Sequence, residues 1–211
     1  MQYAANLVQL HIDERLRSAR KDALLRGIPV ADDETLNFLL TILYSSRPTR
    51  ILEIGAAVGL SAVAMAQALP ESRITTIEYE EDRYTEAKEN FKKFSLSDRI
   101  TAHLGDAGEI LPMMSGEYDF VFLDGPKAQY EKYLPDLKRL LKKGGTLFSD
   151  DVLLYGWVDG REPTPWKRHM IVEKLRSYLK TISSDPDFST SVLDVGDGVA
   201  ISVLVNKRNE G

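Results

Sequence analysis

The sequence predicts a doubly wound α/β fold, with a mostly parallel, seven-stranded sheet that closes on a C-terminal antiparallel hairpin. Three observations predict it. Short apolar runs rich in β-branched residues alternate with longer amphipathic stretches. The runs read as buried on both faces, which a parallel sheet with helices on each side requires. The last two runs are joined by Gly196-Asp197-Gly198, a connection that suits a hairpin.

In chain order, two helices are expected first, about Leu7 to Leu25 and Asp33 to Ser45, the second with Asp32 or Asp33 as N-cap. Residues 1–46 form this N-terminal part and 47–211 the core. Strands follow at RILEIG (50 to 55), RITTIEY (73 to 79), RITAHLG (99 to 105), YDFVFLDG (118 to 125) and GTLFSDD (145 to 151). Between them, 60–69, 80–94, 107–114 and 130–142 are each long enough for two to four helical turns. A loop and a helix near Trp166 to Ile182 lead to the hairpin STSVLDV and GVAISVLV. No linker and no repeat divides the 211 residues, so a single domain is expected.

Composition excludes several classes. Hydrophobic residues at 43% and charged residues at 28% exclude a disordered or fibrous chain. A net charge of −5 excludes a polycation built to coat nucleic acid or anionic membrane. Zero cysteines exclude disulfides, thiolate metal sites and cysteine nucleophiles, and fit a reducing compartment. Asp13 and Glu14 stand where a signal peptide needs an apolar centre, and the longest weakly polar stretch, Gly55 to Leu69, is too short to span a bilayer. A cytoplasmic protein with no membrane association is expected.

In this fold, ligands bind beyond the carboxyl ends of the strands, so the residues that end each run carry the chemistry. The first turn has Gly55-x-x-x-Gly59, not the G-x-G-x-x-G of a dinucleotide site. That spacing, with no positioned His or Tyr base after it, argues against an NAD-dependent oxidoreductase. Glu78 ends the second strand, where it accepts hydrogen bonds from an adenosine ribose or simply complements a helix N-terminus. Asp106 caps the next helix or holds an adenine. Asp124, Asp150 and Asp151 end the fourth and fifth strands and converge if these are neighbours. Carboxylates so close repel unless a cation neutralises them, and hard oxygen donors suit Mg²⁺ or Ca²⁺ better than Zn²⁺. The plain alternative is that Asp150 or Asp151 begins a loop.

LEIGAAVGLSAVAMA, IEYEEDRYTEAKENF, GDA, YDFVFLDGPKAQY, LFSDDVLLYG and VGDGVAIS, in that order, resemble the metal-dependent class I O-methyltransferases, the family of the catechol and caffeoyl-CoA enzymes. The resemblance covers about Ile51 to Val203. It implies that Glu53, Gly55 and Asp124 lie against S-adenosylmethionine, that Ser61 binds its methionine carboxylate, Glu78 its ribose and the Asp106-Ala107 turn its adenine. It implies that Asp124, Asp150 and Asp151 hold a divalent ion, Mg²⁺ or else Mn²⁺ or Ca²⁺, and that Lys127 matches the catalytic lysine. Read without the motif, Lys127 is an ordinary solvated lysine at a helix start. Where the family has Asp-Asn, this chain has Asp150-Asp151. The extra charge is expected to tighten cation binding and to acidify the accepting hydroxyl less.

Two acceptors fit the resemblance. One is a small catechol-like diol; the other is 5-hydroxyuridine in a tRNA anticodon, since the chain looks similar to the bacterial enzymes that methylate that base. Charge distribution favours tRNA. Between Arg161 and Lys180 there are six basic residues against two acidic, and between His11 and Gly27 five against three. This is a plausible phosphate footprint, although basic helix faces are usually just solvated. Arg161, Trp166, Lys167 and Arg168 are the expected substrate contacts, with Trp157 or Trp166 stacking a splayed base. A non-catalytic cofactor-binding module is the remaining alternative, and the N-terminal helices suggest a homodimer.

Overall fold

A computed structural model describes residues 7–207; the ends of the expected domain, 1–6 and 208–211, lie outside the described residues. Helix α1 (Glu14–Leu25) starts seven residues later than expected. Asp13 is the reason, because its backbone is extended and its carboxylate accepts the Leu16 amide hydrogen at 2.7 Å, ending the helix there. Helix α2 (Asp33–Ser46) is capped in the same way by Asp32, which accepts from the amide and the hydroxyl of Thr35, each at 2.9 Å.

The strands are β1 (Arg50–Ile54), β2 (Arg73–Glu78), β3 (Ile100–Leu104), β4 (Tyr118–Leu123), β5 (Leu141–Ser149), β6 (Phe188–Leu193) and β7 (Val199–Leu204). They form one sheet in the order β3-β2-β1-β4-β5-β7-β6. β1 to β5 are parallel, and β7 runs antiparallel to both β5 and β6. The crossover helices are α3 (Leu60–Ala68), α4 (Glu81–Lys93), α5 (Ala107–Met113) and α6 (Tyr130–Leu140). A short 3-10 turn at Trp166–Arg168 leads into α7 (His169–Ser184), so the expected helix near Trp166 to Ile182 is two elements. β5 starts four residues before the expected Gly145, because Leu141 leaves the helix for an extended backbone and pairs with Tyr118 ahead of a register shift.

Period-two alternation sends neighbouring strand residues to opposite faces. Leu52, Ile54, Val121, Leu123 and Leu147 pack under α5, α6 and α7, whereas Ile51, Phe120, Phe122 and Phe148 pack under α1 to α4. Strand order reverses between β1 and β4, so the first crossovers leave on opposite sides and a crevice opens at their carboxyl ends. No helix among the described residues is long and apolar enough to cross a membrane.

Candidate active site

The crevice is a cavity of about 670 Å³. Its floor is set by backbone packing. Gly55 has φ +95°, and a Cβ there would stand 2.3 Å from the carbonyl oxygen of Asp124, so only glycine lets the end of β1 lie against the end of β4. Gly59, at φ +79°, has the Phe91 ring where a Cβ would be, at 2.5 Å. The 55/59 spacing thus answers to internal packing, and Gly55 also lines the cavity.

Glu78, at the end of β2, closes the turn by accepting the Ala57 amide at 2.7 Å and the Glu80 amide at 2.8 Å. Each carboxylate oxygen keeps a lone pair, and the residue lines the cavity. Asp106 caps α5 through the Gly108 amide at 2.6 Å, and both Asp106 and Ala107 line the cavity wall. Glu53 and Ser61, expected against the cofactor, stand outside the lining. The Ser61 hydroxyl donates to Glu53 Oε1 at 2.6 Å, and the Thr76 hydroxyl donates to Oε2 at 2.5 Å. Glu53 is fully buried, and burial pushes its pKa up to about 7 against the lowering effect of those two hydroxyls.

Asp124 follows β4 directly, and Asp150 and Asp151 follow β5. Each offers a carboxylate oxygen, and these oxygens lie within 4.8 Å of one another. Asp151 has φ +54°, a left-handed conformation that Asp and Asn tolerate. Burial raises the pKa of Asp124 and, well above the usual range, that of Asp150; in each case a neighbouring aspartate adds to the rise. Lys127 Nζ reaches into the cluster, 2.5 Å from Asp124 Oδ1 and 3.0 Å from Asp151 Oδ2. Burial disfavours its ammonium, but Asp124, Tyr130, Asp151 and Asp150 outweigh burial and hold the pKa well above the usual value. Lys127 is therefore charged here, whereas the proton acceptor expected of it calls for a lowered pKa. With all carboxylates ionised, three negative charges face one ammonium. The surplus of two, presented on oxygen donors, fits a hard divalent cation.

Asp32, Tyr155 and Asp197 also line the cavity, brought there by the α1–α2 connection, the loop after β5 and the hairpin turn. Asp32 was legible only as a cap, and nothing in the spacing of Tyr155 or Asp197 marks a cavity wall. Arg161, Trp166, Lys167 and Arg168 do not line it. Arg161 is paired with Asp159 at 2.6 Å and Asp194 at 2.7 Å, while Trp166 is 88% exposed. Trp157 packs against Tyr155, with ring centroids 4.9 Å apart.

A crevice at a β1/β4 switch point, an acid at the end of β2 and an antiparallel β7 define a class I methyltransferase fold. The chain belongs to the O-methyltransferase family, whose sequence profile matches residues 5–206. It is 32% identical over 197 residues to caffeoyl-CoA O-methyltransferase of Populus kitakamiensis, covering 89% of this chain and 83% of that one. It is 26% identical to catechol O-methyltransferase of Niastella koreensis, covering 91% and 90%. The SAH-bound Podospora anserina methyltransferase PaMTH1 superposes with a TM-score of 0.84 at 25% identity, covering 92% of this chain and 89% of that one. The protein is an S-adenosylmethionine-dependent O-methyltransferase of the caffeoyl-CoA and catechol type.

Proposed function

We propose that the enzyme methylates one of two adjacent oxygens on a small catechol-like acceptor, with a divalent cation held by Asp124, Asp150 and Asp151. The observation that carries this reading is the meeting of those three carboxylates within 4.8 Å in the wall of the cofactor cavity. A divalent ion held there would supply Lewis acidity, which would favour loss of the acceptor's proton. S-adenosylmethionine supplies a methyl group already activated by its sulfonium.

The chain's own residues bind and orient. Glu78 accepts from the ribose hydroxyls, and Asp106 with Ala107 borders the adenine. Gly55 and Asp124 set the floor along which donor and acceptor align, about 3 Å apart in line. Lys127 is positioned to take the acceptor's proton at Nζ. Asp124, Asp151 and Asp150 hold that nitrogen as an ammonium, so a partner that neutralised them would lower its pKa and leave it able to accept a proton.

The cavity favours a small acceptor over a polyanion. Asp32, Glu80 and Asp197 share the lining with the three aspartates, whereas Arg83 and Lys127 are its only cations among the described residues. Phosphates close to that mouth meet like charge. A second reading, 5-hydroxyuridine in tRNA, has one observation of its own: Trp166 and Met170 are 88% and 78% exposed beside Lys167 and Arg168. The test offers labelled S-adenosylmethionine and Mg²⁺ to a catechol panel and, separately, to tRNA bearing 5-hydroxyuridine. Label in catechols, abolished by EDTA, is expected; label in tRNA alone overturns the small-acceptor reading.

A further inference from the structure

Tyr130 is fully buried, and nothing in the reaction just described employs it. It opens α6, three residues after Lys127. Its hydroxyl lies 3.0 Å from the carbonyl oxygen of Leu123 and 3.1 Å from that of Asp150, and its single hydrogen is shared between the two. The first carbonyl immediately precedes Asp124 and the second belongs to Asp150. The regular β4–β5 pairing ends at Leu123 and Ser149, followed by one bond from the Asp150 amide to Leu123 O at 3.0 Å. The tyrosine hydroxyl therefore closes the interval where the ladder stops and the carboxylates begin. Its ring centroid lies 5.5 Å from Lys127 Nζ, and its edge packs on Tyr178 at 5.4 Å.

A buried tyrosine hydroxyl usually finds a hydrogen-bond partner. Here the two partners stand at the ends of different strands, Leu123 closing β4 and Asp150 directly after β5, and each is joined covalently to a carboxylate of the same cluster. Like charges within 4.8 Å push those strand ends apart, and the hydroxyl ties them together. We infer that Tyr130 is a positioning residue that sets the separation of the Asp124 and Asp150 carboxylates and thereby the affinity for a divalent cation. The inference rests on the proposal that the three aspartates hold such an ion.

Tyr130→Phe keeps the ring beside Lys127 and removes the hydroxyl, and with it both the tie and the hydrogen bond between that hydroxyl and Lys127. Tyr178→Phe is the matched control, since it also deletes one buried hydroxyl, bonded to Ser149 Oγ at 2.6 Å. Mn²⁺ binding is measured by electron paramagnetic resonance on the wild type and both variants, with S-adenosylhomocysteine affinity measured alongside. Tyr130→Phe is expected to raise the Mn²⁺ Kd about tenfold, the scale of lost outer-shell support, with Tyr178→Phe and the S-adenosylhomocysteine affinities within about twofold of wild type. An unchanged Mn²⁺ Kd in Tyr130→Phe, or an equal loss in Tyr178→Phe, overturns the role of Tyr130 and leaves the metal reading standing. A wild type that binds no Mn²⁺ overturns both. Should Tyr130→Phe not fold, ring-labelled tyrosine spectra of the wild type decide instead: Mg²⁺ is expected to shift the Tyr130 signals, and unmoved signals overturn the role.

Discussion

Glu53 shows how a single buried acid writes itself into stability. Its folded pKa of about 7 lies above the ordinary 4.5, so the proton favours the folded state. That stabilisation is complete below pH 4.5 and is lost as pH rises through 7. Between pH 5 and 8 the wild type is expected to lose about 2–3 kcal/mol through this group, and Glu53→Gln to lose much less. Urea denaturation at both pH values checks this; equal losses in the two proteins contradict it. Asp151 stands where the resemblance implies an asparagine. Because Asn accepts φ +54° as readily as Asp, Asp151→Asn is expected to fold normally. With one negative charge fewer, the accepting hydroxyl ionises more easily, so the pH–rate profile moves toward lower pH while the Mg²⁺ requirement rises. A profile that stays in place contradicts the charge argument.

Elements position these residues through close backbone approach. Gly55→Ala places a Cβ 2.3 Å from Asp124 O and also strains φ +95°, whereas Gly144→Ala meets nothing within 4 Å and bears only the strain of φ +81°. The first is expected to destabilise by more than about 3 kcal/mol and to weaken S-adenosylhomocysteine binding; the second costs about 1–2 kcal/mol with binding intact. Comparable losses in both would show that the β1–β4 contact is not what fixes the floor. The strands were legible because their apolar runs are long and β-branched, and each strand-end acid marked a cavity residue. The start of α1 was not, since Asp13 stops a pattern that otherwise continues. The pairing of the Ser61 hydroxyl with the Glu53 carboxylate, outside the cavity lining, was not legible, because spacing does not reveal which hydroxyl a buried carboxylate captures. Asp32, Tyr155 and Asp197 reach the cavity only through tertiary folding, and Tyr130 ties two strands through a hydroxyl that no spacing encodes.

At the scale of the whole molecule, charge is segregated. The net −5 conceals an acidic cavity lining and an exposed basic turn ahead of α7. An acidic mouth attracts cationic acceptors and repels anionic ones, less so as salt screens it. An amine-bearing catechol such as dopamine is expected to exceed protocatechuate, which carries a carboxylate, several-fold in kcat/KM at low ionic strength. The gap is expected to narrow in 0.5 M salt. A preference for protocatechuate, or one indifferent to salt, removes the electrostatic account of acceptor choice.

The central claim is that Asp124, Asp150 and Asp151 together hold the ion beside which methyl transfer occurs. Crystals grown with Mn²⁺ and S-adenosylhomocysteine and measured at the manganese absorption edge test it most directly. The account predicts an anomalous peak in contact with oxygens of all three aspartates, with Lys127 Nζ withdrawn from Asp124 and Asp151. Crystals of protein that methylates catechol but shows no peak there, with Lys127 still seated among the carboxylates, would contradict it.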